Sequence, residues 1–275
     1  MLMDSLSTEI GGQRYSIDLE NANSIAIDVK FDGDQPSHFA AKPATKVPMN
    51  AGQFVGSTIK GGSCNVDVMT INPHCNGTHT ETVGHIVNDS IAIASAAIEG
   101  LYVAMLITVD PIKASQCNDT YQPALEADDL VVGRNQIEAA LADAETSFEA
   151  IVVRTLPNDK AKKTFKYGDS VVPAFFTNDA MQWIAESGIK HLLVDLPSID
   201  RMHDDGKLSN HHMFWNVEPG SNKLGEDSWP EKTISEMVFV DDGIVDGAYL
   251  LNLQVAAFSS DVSPSRPILY PLKPL

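Results

Sequence analysis

Between residues 150 and 196 the chain reads as apolar run, helix signal and apolar run, a pattern that few folds accommodate. Ile151 to Arg154 and His191 to Leu196 are short and apolar, as strands buried on both faces are. Between them, Asn178-Asp179-Ala180-Met181-Gln182-Trp183-Ile184-Ala185-Glu186-Ser187 repeats apolar residues at helical spacing, with Thr177 or Asn178 to cap it and Gly188 to stop it. Strand, helix and strand in that order predict a parallel crossover unit, because two parallel strands cannot be joined by a tight turn. A second helix is expected from Asn135 to Glu149, rich in Ala, Glu and Leu. The apolar stretch Ile91 to Val109 is interrupted by Ser95, Glu99 and Gly100, so it reads as a buried helix ending near Gly100 and then a strand, Leu101 to Val109, rather than a membrane span. The expected class is therefore α/β. Without internal repeats or a Pro/Ser-rich linker, residues 1–275 are read as one domain, and in open α/β sheets ligands gather at strand ends.

Charge narrows the partners. The chain carries 37 acidic and 19 basic residues, a formal net charge of -18, which opposes binding to nucleic acid or an anionic membrane. Its one basic run, Lys160, Lys162 and Lys163, is expected on a solvated loop. Three cysteines, Cys64, Cys75 and Cys117, leave one over and lack paired spacing, so a reducing compartment is expected. Met1 to Gly12 lacks a basic region followed by an apolar run, so no signal peptide is read there and a cytoplasmic address follows.

The chemistry is concentrated in His74-Cys75-Asn76-Gly77-Thr78-His79-Thr80-Glu81-Thr82-Val83-Gly84-His85, which holds three of the eight histidines, a thiol and a carboxylate. Imidazole, thiolate and carboxylate are the donors that bind zinc and related divalent ions. If the segment is extended, residues of equal parity share a face, so Cys75, His79, Glu81 and His85 converge across the small Gly77 while Asn76, Thr78 and Thr80 point away. His74 falls out of phase and ranks below Cys75 as first ligand. The bland alternative is a polar loop whose histidines bond only to backbone.

This run resembles the signature of the cyclase family of metal-dependent hydrolases, which includes bacterial kynurenine formamidases and isatin hydrolases and whose usual pattern is H-x-G-T-H-x-D-x-P-x-H. Gly77-Thr78-His79 and His85 match in register, while Cys75, Glu81 and Val83 replace the first histidine, the aspartate and the proline. The resemblance continues from Ile17-Asp18-Leu19, through the apolar run into Asp195-Leu196-Pro197-Ser198-Ile199-Asp200, then Asn210-His211-His212-Met213-Phe214-Trp215, then Thr233-Ile234-Ser235-Glu236-Met237-Val238, to Ser263-Pro264-Ser265-Arg266-Pro267. The stretch from about 216 to 232, rich in Gly, Pro, Asn and Ser, reads as an inserted surface loop.

The resemblance implies a swivelling β/β/α fold, a mixed sheet with flanking helices, and a homo-oligomer, dimer or tetramer. It implies one or two metal ions, zinc first and manganese second, held by Cys75, His79 and Glu81 with His211 and Glu236, Glu81 bridging. His85 takes the place of the family's general acid/base. The implied reaction is cleavage of a non-peptide C–N bond in a small amide or cyclic amide by metal-activated water, with an arylformamide such as N-formylkynurenine as model substrate. Opening or closing of a lactam or lactone, and metal binding without turnover, are the alternatives. Asp195, Ser198 and Asp200 either orient ligand histidines or form turns. Phe214 and Trp215 line a pocket or fill the core, His203 and His212 are read as non-ligands, and His38 and His191 receive no role.

Overall fold

A computed structural model of the chain describes residues 6–96, 100–142, 144 and 147–275. The elements that build and position the site are β1 (Ser7–Ile10), β2 (Gln13–Ile17), a single helical turn α1 (Pro73–Asn76), β3 (His79–Glu81), β4 (Leu101–Val109), α2 (Arg134–Ala140), β5 (Ala150–Thr155), α3 (Asn178–Glu186), β6 (His191–Val194), α4 (Ser209–Phe214), β7 (Thr233–Glu236), β8 (Gly247–Asn252), β9 (Val262–Pro264) and β10 (Ile268–Pro274). They form a mixed sheet in the order β1-β2-β10-β8-β4-β5-β6-β7-β3-β9. Its centre, β4 to β7, is parallel, and β8 and β3 close it on either side in antiparallel register.

The crossover expected around α3 is present: β5 and β6 pair in parallel, Ile151 beside Leu192 and Val153 beside Val194. Side chains alternate between two cores, as period-2 strands require. Met105, Ile107, Ile151, Val153, Leu192 and Val194 face α2, α3 and α4, whereas Ala104, Leu106, Val152 and Leu193 face the layer of Tyr249, Leu251 and Leu269. Helix α3 starts where Thr177 Oγ1 accepts the Ala180 N–H, and it buries Ala180, Met181, Ile184 and Ala185. Phe214 and Trp215 are fully buried, and the Trp215 indole donates to the Lys232 carbonyl at 3.0 Å. Both belong to the core.

Three expectations need correction. The helix expected over Asn135 to Glu149 is Arg134–Ala140 followed by a turn; residues 143, 145 and 146 lie outside the described residues, and by Glu149 the backbone N–H already bonds to Val103 in the sheet. The helix expected to end near Gly100 is one 3-10 turn, Ile93–Ser95, because the N–H groups of Ile93 and Ala94 are taken by the carbonyls of Ser260 and Phe258; residues 97–99 lie outside the described residues. The basic run is not a solvated loop throughout. Lys162 is buried, and its ammonium donates to Asp195 Oδ2 (2.8 Å), Thr155 O (2.7 Å) and Thr155 Oγ1 (2.9 Å) at the ends of β5 and β6.

Asp195 therefore neither orients a ligand nor merely turns the chain. It joins two parallel strands, and burial pushes its carboxyl above the usual carboxylate range against the pull of Lys162. Removing one partner of such a pair strands a buried charge, so Lys162→Met is expected to cost about 3–5 kcal/mol of folding stability. Urea unfolding of the variant measures this, and a loss of only a few tenths would show that the Thr155 N–H and hydroxyl satisfy Asp195 by themselves. Among the described residues, no helix is long and apolar enough to cross a membrane. The segment 216–232 carries neither helix nor strand, and the Trp229 N–H bonds to the Trp215 carbonyl, which folds the loop back toward the start of β7.

Candidate metal centre

The site lies where β7 ends and β3 begins. These strands pair with Glu236 opposite His79 and Ile234 opposite Glu81, so two residues from one strand and one from its neighbour share a face. Within β3 the expected alternation holds: His79 and Glu81 point to the site, and Thr80 points away to the hydroxyls of Ser235 (2.7 Å) and Ser265 (2.8 Å). Thr78 also faces away, accepting the Ile27 N–H at 2.8 Å and donating to the Met237 carbonyl. Gly77 adopts φ 155 and ψ −165, a conformation reserved for glycine, and a Cβ there would lie 3.1 Å from Val29.

Before Gly77 the parity argument fails. Residues 73–76 are a helical turn initiated by Pro73, not a strand, so the neighbour that faces Glu81 is His74 rather than Cys75. Two groups of donor atoms each lie within 4.8 Å of one another, His74 with Glu81 and His85, and His79 with Glu81 and Glu236; neither includes Cys75. Cys75 is buried close by, its thiol pushed up by burial and by the Glu236 charge. His85, His211 and Glu236 all reach the cluster as expected, and Glu81 joins the two groups.

The distances define how each side chain is held. His79 Nδ1–H donates to the Gly77 carbonyl at 2.9 Å, leaving Nε2 with its lone pair turned toward Glu236 Oε2 at 3.4 Å. His211 sits on α4, where Nδ1–H donates to Asp200 Oδ2 at 2.6 Å and Nε2 lies 3.1 Å from Glu81 Oε1 and 3.7 Å from Glu236 Oε1. Asp200 is thus the orienting carboxylate that the Asp-rich turn could supply, and it is itself fixed by the Tyr121 hydroxyl (2.8 Å) and the Asn210 N–H (2.8 Å). Glu236 Oε1 accepts the Ile199 N–H at 3.0 Å. Such partners set the tautomer and aim of a metal ligand.

Electrostatics point the same way. Burial alone would raise the Glu81 carboxyl, but His85, His211 and His74 hold it well below the usual range. Burial would likewise lower His211 and His74; Asp200 and Glu81 push His211 well up, and Asp261 and Glu81 raise His74 to about 10. Four carboxylates packed against four imidazoles lack positive charge, and protons on His74 and His211 supply it. A divalent cation meets the same need. His79 Nε2 and Glu81 Oε2 are buried without an aligned hydrogen bond, a costly arrangement unless a further partner occupies the space between them. The donor set, imidazole and carboxylate, is that of zinc or manganese.

His74 was ranked below Cys75 on the assumption of extended backbone, and one residue of the cluster, Asp261, escaped the motif reading. Asp261 immediately precedes β9 and the Ser263-Pro264 block, and its Oδ2 lies 2.9 Å from His74 Nε2 and 3.7 Å from His85 Nδ1. Its position two residues before a recognised block was the available signal. The other histidines lie elsewhere: exposed His203 faces Asp169 at 3.3 Å, buried His191 bonds Thr233 Oγ1 at 2.8 Å, and buried His38 has both ring nitrogens unpartnered. Beside His85 opens a cavity of about 280 Å³, lined also by Ile86, Leu208, His212, Gly220 and Asn222. It meets a larger one of about 590 Å³ along α4 at Lys207, His212 and Gly220.

The geometry describes a candidate metal centre of imidazoles and carboxylates on a mixed α/β sheet. The sequence matches the family described as putative cyclase over residues 16–201, and the chain belongs to that family. The kynurenine formamidase of Bacillus mycoides is 28% identical over 214 residues, 77% of this chain and 82% of that protein, and the one from Bacillus cereus is 26% identical over 216 residues, 78% and 83% of the two chains. Among solved structures, an isatin hydrolase bound to the product analogue thioisatinate superposes with a TM-score of 0.60 at 13% identity, covering 92% of this chain and 93% of that one. That likeness bears out the fold class expected from the motifs.

Proposed function

We propose that the protein is a metal-dependent amide hydrolase that cleaves a non-peptide C–N bond, with an arylformamide as its substrate class. The observation that carries this reading is the pair of unsatisfied, buried lone pairs, His79 Nε2 and Glu81 Oε2, converging beside Glu236 and His211. The kinship to kynurenine formamidases over about four fifths of the chain supports the reaction class. His79, Glu81 and Glu236 would hold the metal, with His211 at its edge, and zinc is the ion this reading assigns. A bound divalent ion lowers the pKa of water from about 15.7 toward about 7, which makes a nucleophile available at neutral pH.

The remaining work falls to side chains. His85 stands 3.9 Å from Glu81 Oε2 at the mouth of the cavity, 29% of its side chain exposed, where it can take a proton from the attacking water and return it to the leaving nitrogen. Atoms balance without a further reactant: water adds across the C–N bond, giving an acid and an amine. Asp200 and the Ile199 N–H hold His211 and Glu236 in place through the reaction.

Chelation tests the reading. Removing metal is expected to abolish hydrolysis of an arylformamide, and zinc is expected to restore it. The same treatment lowers thermal stability, since a ligand at a hundred times its Kd contributes about 2.7 kcal/mol to the folded state. The structural likeness to an isatin hydrolase favours a second reading, opening of a cyclic amide, so isatin belongs in the assay panel. Turnover of neither substrate class by metal-loaded protein, with zinc bound, would leave a metal-binding protein and contradict the proposal.

A further inference from the structure

We propose, resting on the metal-dependent reading above, that His74 ligates through Nδ1 a cation that it shares with Glu81, the residue common to both donor groups, with Asp261 fixing its ring, and that Cys75 is not a ligand. Three observations carry this. His74 Nδ1 lies 2.9 Å from Glu81 Oε2 without the alignment of a good hydrogen bond, so a cation between the two atoms can replace the proton that they otherwise share. The other ring nitrogen is occupied: Nε2–H donates to Asp261 Oδ2 at 2.9 Å, which leaves the Nδ1 lone pair facing the site. The helical turn Pro73–Asn76 places Cys75 outside both donor groups.

Asp261 is built to hold this position. Its carbonyl accepts the Thr82 N–H at 2.9 Å and the Thr82 hydroxyl at 3.2 Å, so the strand that carries Glu81 also anchors the carboxylate that orients His74. Ser260 Oγ donates to Asp261 Oδ1 at 3.0 Å, which leaves Oδ2 for the imidazole. The His85 ring lies against His74, tilted by 36° with centroids 4.4 Å apart. Asp261 acts through His74 and is a positioning residue, in the manner of carboxylates that fix ligand histidines elsewhere.

Zinc and cobalt titrations of the full chain test this apart from turnover. His74→Asn is expected to weaken zinc binding by at least about 10-fold and Asp261→Asn by about 10–100-fold, while Cys75→Ser stays within about twofold of the parent. At the titration temperature, metal-free Asp261→Asn is expected to keep the far-ultraviolet circular dichroism of the parent although loss of the His74 pair lowers its melting temperature, which separates positioning from support of the fold. Cobalt-loaded parent protein should lack the near-ultraviolet charge-transfer absorption of a thiolate ligand. That absorption, lost in Cys75→Ser, would overturn the inference and leave the hydrolase reading standing, as would unchanged affinity in His74→Asn. A parent protein that binds neither ion would overturn both.

Discussion

Glu81→Gln is expected to lower kcat/KM by at least about 10³-fold, roughly 4 kcal/mol of transition-state stabilisation, together with a matching loss of metal affinity. The size of the effect follows from where the carboxylate sits. Glu81 is fully buried and joins both donor groups, with Oε1 toward His211 and Oε2 toward His74 and His85. The amide keeps the shape but replaces one anionic oxygen by a donor NH₂, which repels both a cation and any protonated imidazole beside it. Metal content and steady-state kinetics on the same sample read the two losses together. Full activity in a variant that still binds zinc would place the metal elsewhere.

His85→Ala is the second large effect, and it has a different signature. Proton transfer by a positioned group contributes typically about 10²–10⁴-fold, so kcat is expected to fall by that order while zinc content remains that of the parent. The separation matters because His85 stands at the mouth of the site, 3.7 Å from Asp261 Oδ2 and beside the cavity, whereas His79 is wholly buried. An unchanged kcat would remove His85 from the proton path. Loss of metal along with activity would make it a ligand.

The crossover was legible because its signals are local. Thr177 caps α3, Gly188 follows it, and the apolar runs of β5 and β6 are short and buried on both faces, so propensity, pattern and tertiary packing agree. The same local logic misled at Ile91, where apolar composition suggested a helix but the backbone N–H groups pair with residues 258 and 260, a contact across more than half of the chain that no window reports. Lys162 failed in a similar way. Its charge predicted solvent, and only the return of β6 to its side supplied Asp195.

Within the site, His79, Glu81, His85, His211 and Glu236 could be named from the resemblance to the family's motifs, and their side chains do come together. What spacing could not decide was which of two adjacent residues faces Glu81. A single turn started by Pro73 changes the side on which residues 74 and 75 emerge, and parity counting assumes that no such turn intervenes. Asp261 was hidden for another reason: it reaches the site by the pairing of β9 with β3, which sequence order alone does not reveal.

Anomalous diffraction from crystals grown with zinc tests the central claim most directly. A zinc peak is expected about 2.0–2.2 Å from His79 Nε2 and from a Glu81 carboxylate oxygen, distances normal for nitrogen and oxygen ligands of this ion. Density for zinc only at surface carboxylates, with His79 and Glu81 unligated at saturating zinc, would contradict it.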